Sequence, residues 1–287
     1  KKLGEIGNKD QGRLLRQLRT YETSSYSRPI TLITKYLTKI PFFRRRIAHD
    51  IKFNHFSSLG ISIPVKNGFW APIPQYDAYD SFSEIFIQDE YKDIIPDITF
   101  NRIIDMGANY GYFTIWLQSL QPKQNLNALL IEPSKNCIQA LTELTADSSY
   151  SNCLQVENGC IGNPAESNMD FYERPFMASS IFRNSSEEST YKVKILDENE
   201  ILSKSPPPYD LIKCDIEGSE WELLCHYPKV ISQCQYLLIE WHSWHSGGRG
   251  ISQIEDKLKN LNFEISNRSA AQLATGREGK VGMILAK

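Results

Sequence analysis

An acid and two glycines fall within one short stretch, Asp105-Met106-Gly107-Ala108-Asn109-Tyr110-Gly111, directly after an apolar run. Gly107 permits a tight turn and Gly111 a close approach of backbone to ligand. The spacing is not G-x-G-x-x-G, and a carboxylate at Asp105 repels a pyrophosphate, so a dinucleotide is disfavoured. The same carboxylate suits a cationic ligand or an ammonium group. Glu132 closes the next apolar run, where an acid accepts both hydroxyls of a ribose. A ligand with a sulfonium, an amino acid moiety and a ribose satisfies both positions, and S-adenosyl-L-methionine has all three.

A second group of ionisable residues lies further on. Asp215, Glu217 and Glu220 crowd the end of an apolar run, and on an extended strand Asp215 and Glu217 share a face. Neighbouring carboxylates raise one another's pKa, which suits one of them to act as a base; alternatively Glu217 or Glu220 orders the turn or caps the following helix. Glu240-Trp241-His242 ends the next run, with Glu240 and His242 on one face. His242 is a candidate general base or a rim histidine held by hydrogen bonds. His245 and Gly247-Gly248-Arg249-Gly250 follow, a lid that holds an anionic acceptor or a plain loop. Ser179-Ser180 is a further candidate lining pair. The carboxylates and His242 could also hold a divalent metal, but their spacing matches no strong metal motif, so no metal is expected. Ser205-Pro206-Pro207-Pro208-Tyr209 has the look of a base-flipping motif. It precedes its strand and carries an extra proline, so it reads as a stiff linker.

These positions need a frame of strands and helices. Strands are expected at Arg102–Met106, Ala128–Ile131, Cys153–Val156, Tyr209–Cys214 and Tyr236–Glu240, with Phe263–Ile265 and Val281–Leu285 closing the sheet. Helices are expected at Tyr112–Leu120, Ser134–Thr145, Ser219–Cys225 and Ile251–Leu261, with a loop-rich insertion after Val156. Apolar strands alternating with helices indicate an α/β fold with a doubly wound, mainly parallel sheet. Such sheets bind ligands at the carboxyl ends of their strands, near the reversal in strand order. Ahead of this unit, Ile61–Val65 and Phe69–Ile73 read as short strands and Ser83–Tyr91 as a short helix.

Composition bounds the function. The 287 residues carry 32 basic and 34 acidic side chains, a net charge of −2, with no overall pull toward nucleic acid. No apolar run is long enough to span a bilayer, and Lys1-Lys2-Leu3-Gly4 is not followed by an apolar signal core. Charge is uneven: residues 1–60 hold 13 basic and 4 acidic residues, a net of +9, which leaves −11 on the other 227. Residues 1–75 therefore read as a basic, partly helical extension on a domain at 76–287. Ile30, Ile33, Tyr36, Leu37 and Ile40 recur at helical spacing before Pro41 and Arg44-Arg45-Arg46. That segment either docks on its own domain or makes a weak membrane or partner contact through residues 1–60. The six cysteines form no C-x-x-C pair; buried reduced thiols in a cytoplasmic protein are expected.

The chain resembles the FkbM family of S-adenosylmethionine-dependent methyltransferases. Ile104 to Thr114 is similar to that family's opening motif, Ile131-Glu132-Pro133 to its ribose-binding strand end and Asn158-Gly159-Cys160-Ile161-Gly162 to its adenine-side loop. Val193-Lys194-Ile195-Leu196-Asp197 resembles the strand before its fourth motif, and Leu211 to Glu220 its most specific signature. The likeness runs from about residue 80 to 245. It implies a Rossmann-like class I methyltransferase with a seven-stranded sheet. It places the cofactor against Asp105, Gly107, Ala108, Asn109, Gly111, Tyr112, Phe113, Glu132, Pro133, Gly159, Cys160 and Asp215, with Asp215, Glu217 and His242 as catalytic candidates. The expected reaction is O-methylation of a hydroxyl on a small natural product or sugar. N-methylation of an amide or amine, on a peptide or metabolite, is the enzymatic alternative, and a non-catalytic binding module the alternative from another class. No nucleic-acid acceptor is expected, and the oligomeric state is not legible.

Overall fold

Arg102–Met106 (β3) is the apolar run that seeds the sheet, and four of its five residues are buried. The computed structural model describes residues 61–74, 78–123, 125–146, 153–173, 189–243, 250–273 and 279–287. The expected Ile30–Ile40 helix, Arg44-Arg45-Arg46, Ser179-Ser180, His245 and Gly247–Arg249 lie outside them.

The chain divides into two compact units, one of residues 1–90 and 115–122, the other of residues 91–114 and 123–287. The boundary expected near residue 75 falls inside the first. In that unit Ile61–Pro64 (β1) and Trp70–Ile73 (β2) form an antiparallel hairpin, as the two short runs predict. A short helix, Ala78–Phe82 (α1), runs on into a π-helical turn at Ser83–Ile87. The helix expected over Ser83–Tyr91 thus starts earlier and ends sooner.

The second unit is built on an eight-stranded sheet. Beyond β3 its strands are Asn127–Glu132 (β4), Leu154–Asn158 (β5), Tyr209–Cys214 (β8), Cys234–His242 (β9), Ile265–Arg268 (β10), Gln272–Leu273 (β11) and Lys280–Ala286 (β12). The order is β10-β12-β9-β8-β3-β4-β5, with β11 also on β12. β5, β4, β3, β8 and β9 are parallel; β12 is antiparallel to β9 and to β10. The chain moves outward from β3 to β4 and β5, then returns to the other side of β3 as β8. The carboxyl ends of β3 and β8 therefore flank the reversal where such sheets bind ligands.

Strand alternation sorts the two faces. Ile104 and Met106, Leu129 and Ile131, Ile212 and Cys214, Leu237, Ile239 and Trp241, and Ile284 and Ala286 enter one buried cluster. Helices Glu198–Lys204 (α4), Glu220–His226 (α5), Pro228–Ile231 (α6) and Ile251–Asn260 (α7) cover it with Ile201, Leu223, Leu224, Val230, Ile231, Ile254 and Leu258. Each such buried aliphatic side chain contributes about 1.5–3 kcal/mol. The alternate residues, among them Asp105, Lys213, Glu240 and His242, belong to the opposite face. Two further helices, Tyr112–Leu120 (α2) and Lys135–Ala146 (α3), follow β3 and β4. Ser134 begins α3, its Oγ accepting the Cys137 N–H.

The insertion holds more structure than its pattern predicts. Within the insertion, Asn168–Glu173 (β6) and Ser189–Lys194 (β7) pair antiparallel over six positions. Phe171 and Val193 of this hairpin pack with Cys160 and Ile195 as a small separate core. α4 follows at once, opened by a capping box in which Asp197 and Glu200 satisfy each other's backbone N–H groups. All six cysteines are unpaired; Cys137, Cys160 and Cys214 are buried and the other three partly so. No helix among the described residues is long and apolar enough to cross a membrane.

Candidate active site

Parallel register sets Lys213 of β8 directly beside Asp105 of β3. Both side chains are buried. The Lys213 ammonium donates to the Gly107 carbonyl at 2.8 Å and pairs with Asp105 Oδ1 at 3.3 Å and Asp215 Oδ2 at 3.5 Å. The other Asp105 oxygen accepts from the Thr114 hydroxyl at 2.9 Å. Burial alone would lower the Lys213 pKa, but Asp105, Asp215 and Glu240 outweigh it and hold the ammonium charged. Burial pushes the Asp105 carboxyl up, and Lys213 draws it only part of the way back. Asp105 therefore differs from the open carboxylate that the sequence suggests: its counter-charge is internal, and it braces the glycine loop.

The loop itself is tightly built. Gly107 and Ala108 donate to the Ile131 carbonyl at 3.0 and 3.1 Å. Gly107 has φ +75°, and a Cβ there would lie 1.7 Å from the Asp215 carbonyl oxygen, so only glycine fits. Asn109 is also left-handed, at φ +51°. Its N–H donates to Glu132 Oε2 at 2.7 Å, while the Ser134 N–H donates to Oε1 at 2.8 Å. Glu132 is buried, and burial raises its pKa to about 7 against the pull of these two donors and of Lys213.

The remaining positions named from sequence fall into place as follows. Tyr112 and Phe113 are buried in the first turn of α2; Phe113 meets Tyr91 edge-on at 4.8 Å and lies 6.0 Å beneath Lys213. The Pro133 carbonyl accepts from Asn158 and Tyr191. Gly159 leaves no room for a side chain against Leu196, and its N–H donates to the Glu132 carbonyl at 3.2 Å. Cys160 bridges to Ile195, its thiol turned into the small core and pushed up to about 12 by burial. What Gly159 and Cys160 offer a ligand is therefore backbone.

At the ends of β8 and β9 the carboxylates do not stand as an extended strand predicts. β8 stops at Cys214, and Glu217 and Gly218 take φ +52° and +112°. Asp215 and Glu217 thus sit on a turn rather than on one strand face. Glu220, fully buried, orders that turn: its Oε1 accepts the Gly218 N–H at 2.9 Å and lies 3.0 Å from His242 Nδ1. Glu240 does share a face with His242, with Oε1 3.8 Å from Nε2. Burial opposes a charge on His242, but Glu220, Glu217 and Glu240 prevail and raise its pKa to about 10. Asp215, Glu240 and His242 bring ligand-type atoms within 4.8 Å of one another. Glu220 orders the turn, one of the two roles the sequence offers it, whereas Lys213 is not marked by the sequence pattern. The β3–β8 register is the signal that marks Lys213, since a lysine inside the run Leu211-Ile212-Lys213-Cys214 must face a buried acid.

The geometry is an acid-lined strand-end crevice with a glycine loop, and the comparison with known proteins decides its class. The Methyltransferase FkbM domain matches residues 105–265. The chain belongs to the FkbM methyltransferase family. The FkbM match begins at Asp105 and takes in the loop, Glu132, Lys213, Asp215 and His242. The chain thus carries that family's methyltransferase domain.

Among solved structures, the FkbM methyltransferase of Methylobacillus flagellatus KT is 16% identical with a TM-score of 0.48, covering 73% of this chain and 50% of its own. The chain thus spans half the length of that protein. P. horikoshii TYW2 in complex with MeSAdo is 12% identical, with a TM-score of 0.45 over 79% of this chain and 70% of its own. M. capricolum TrmK in complex with S-adenosyl-homocysteine is 9% identical, with a TM-score of 0.41 over 69% and 66%. No curated protein matches the chain significantly in sequence.

The residues at the β3 and β4 ends fit the cofactor. Each Glu132 oxygen receives one backbone N–H, and a carboxylate oxygen has a second lone pair for a ribose hydroxyl.

Proposed function

We propose that this FkbM methyltransferase methylates a hydroxyl of a small natural product or sugar. The observation that supports it is the convergence of Asp215, Glu240 and His242 at the ends of β8 and β9. A neutral hydroxyl must lose its proton as it is methylated, and Asp215 and Glu240 place two carboxylates at this end to take it.

The bound cofactor supplies an electrophilic methyl group on a sulfonium. The chain's own residues do the rest. Glu132 accepts the ribose hydroxyls, while Ala108, Asn109 and Pro133 shape the backbone around it. The glycine loop, held by Lys213 and Asp105, fixes the ligand's orientation, and correct orientation supplies much of the rate. Asp215 is the carboxylate best placed to receive the hydroxyl proton. It stands at the strand end and is partly open to solvent, whereas His242 is buried and held by Glu220. Glu217 lies on the same turn and orients the acceptor.

Incubation with S-adenosylmethionine labelled in its methyl group, against a panel of hydroxyl and amine acceptors, tests this reading. The expected result is label on oxygen, abolished by Asp215→Asn with cofactor binding kept. Label on nitrogen replaces the hydroxyl with an amide or amine. Cofactor binding without transfer to any acceptor class leaves the non-catalytic alternative.

A further inference from the structure

We infer that Asp215, Glu240 and His242 form a binding site for one divalent first-row transition-metal ion. Three observations converge on it.

The first is the ligand set. One imidazole and two carboxylates on the adjacent ends of β8 and β9 bring their ligand atoms within 4.8 Å of one another. Neighbouring donors around a six-coordinate ion with bonds of about 2.1 Å lie about 3 Å apart, so small side-chain rotations close the set. Asp215 and Glu240 retain partial exposure, which gives an ion a route in.

The second lies outside the set. Glu220 is fully buried, and its Oε1 holds His242 Nδ1 at 3.0 Å. A carboxylate on one imidazole nitrogen fixes the ring and presents the other nitrogen to a metal. Here the other nitrogen, Nε2, faces Glu240. The second Glu220 oxygen is buried with no hydrogen-bond partner among the described residues, so it adds negative charge that no donor offsets.

The third is the charge balance. Glu220 and Glu240 flank His242 and Asp215 lies near them, while the ammonium of Lys213 is shared among the Gly107 carbonyl, Asp105 and Asp215. Coordination through Nε2 needs the neutral imidazole, so a divalent cation takes the place of the proton that His242 otherwise holds among these carboxylates. Imidazole with carboxylates suits a transition ion better than calcium.

The role of the ion, unlike the site, rests on the hydroxyl-methylating reading. An acceptor hydroxyl that coordinated the ion would have its pKa lowered and would give its proton to the Asp215 oxygen left free of the ion. The oxygen–methyl bond then forms as the sulfur–methyl bond breaks, leaving the thioether.

The test is titration of the full chain with Mn²⁺, followed by loss of the free-ion EPR signal, with S-adenosylhomocysteine binding measured in parallel. One Mn²⁺ per chain is expected. Glu240→Gln and Asp215→Asn, at partly exposed positions, should each weaken it at least about tenfold, and Glu220→Gln about 10- to 100-fold through the imidazole. Melting curves identify any variant that has lost its fold. Absence of Mn²⁺ binding, or binding unchanged in folded Glu240→Gln and Asp215→Asn, overturns the site. If S-adenosylhomocysteine still binds in that case, the methyltransferase reading stands. Mn²⁺ binding lost in the variants, but without S-adenosylhomocysteine binding, keeps the site and removes the cofactor account instead.

Discussion

Glu220 Oε1 holds His242 Nδ1 at 3.0 Å and accepts the Gly218 N–H at 2.9 Å, so one buried oxygen ties the end of β9 to the turn after β8. Removing it leaves a buried imidazole and a backbone donor without their partner. Glu220→Ala is expected to destabilise the protein by about 3–5 kcal/mol. Glu220→Gln keeps an acceptor oxygen and should lose markedly less. Denaturant unfolding of both variants checks this; equal, small losses would show that the contact does not order the turn.

Lys213 clamps the glycine loop from below. Its ammonium joins the Gly107 carbonyl to Asp105, and a lysine-to-methionine change strands a carboxylate that is fully buried. Lys213→Met should cost about 3–5 kcal/mol. Adding Asp105→Asn should recover part of that loss, because the uncompensated charge goes with it. A double-mutant cycle in urea measures the coupling, and strictly additive losses would refute the clamp.

The parts of the fold that were legible in the sequence are those in which pattern and position agree. The run Arg102–Met106 followed by a glycine loop, and Glu132 at the end of the next run, announce β3, β4 and their ligand end. The β6–β7 hairpin is not legible as a pair: Val193–Asp197 resembles a strand, but Asn168–Glu173 and Ser189–Lys194 are largely polar and no short turn motif joins them. Phe171 and Val193 find their partners in Cys160 and Ile195, which only the fold brings near. α4 carried its signal openly, in Asp197 and Glu200, but in a segment assigned to the insertion. The pairing of Asp215 with Glu217 assumed an extended chain, and the left-handed Glu217 removes that premise. Asp105 looked open because its counter-ion is 108 residues away in sequence, visible only once β8 lies against β3.

Glu132 gives the protein a pH dependence of known sign. Its pKa is about 7 in the folded chain, against 4.5 for an unperturbed glutamate, and burial is the main cause. Between those values the unfolded chain has lost the proton and the folded chain keeps it. The stability contributed at this position is therefore complete below about pH 4.5 and is lost as pH rises through about 7. Ribose hydroxyls donate to the ionised form, so cofactor affinity should run the other way, tightening as pH rises toward about 7 and levelling above it. Titrations with S-adenosylhomocysteine across this range, in the wild type and in Glu132→Gln, check the assignment. A wild-type profile as flat as that of the variant contradicts it.

The central claim is that the ends of β3 and β4 hold S-adenosylmethionine through Glu132 and the glycine loop. Calorimetric titration of the wild type and of Glu132→Ala with S-adenosylhomocysteine tests it most directly. Loss of two charge-assisted hydrogen bonds, about 3 kcal/mol together, should weaken binding roughly 100-fold while the variant remains folded. Equal affinity in the two proteins, or no binding by the wild type, would contradict the account.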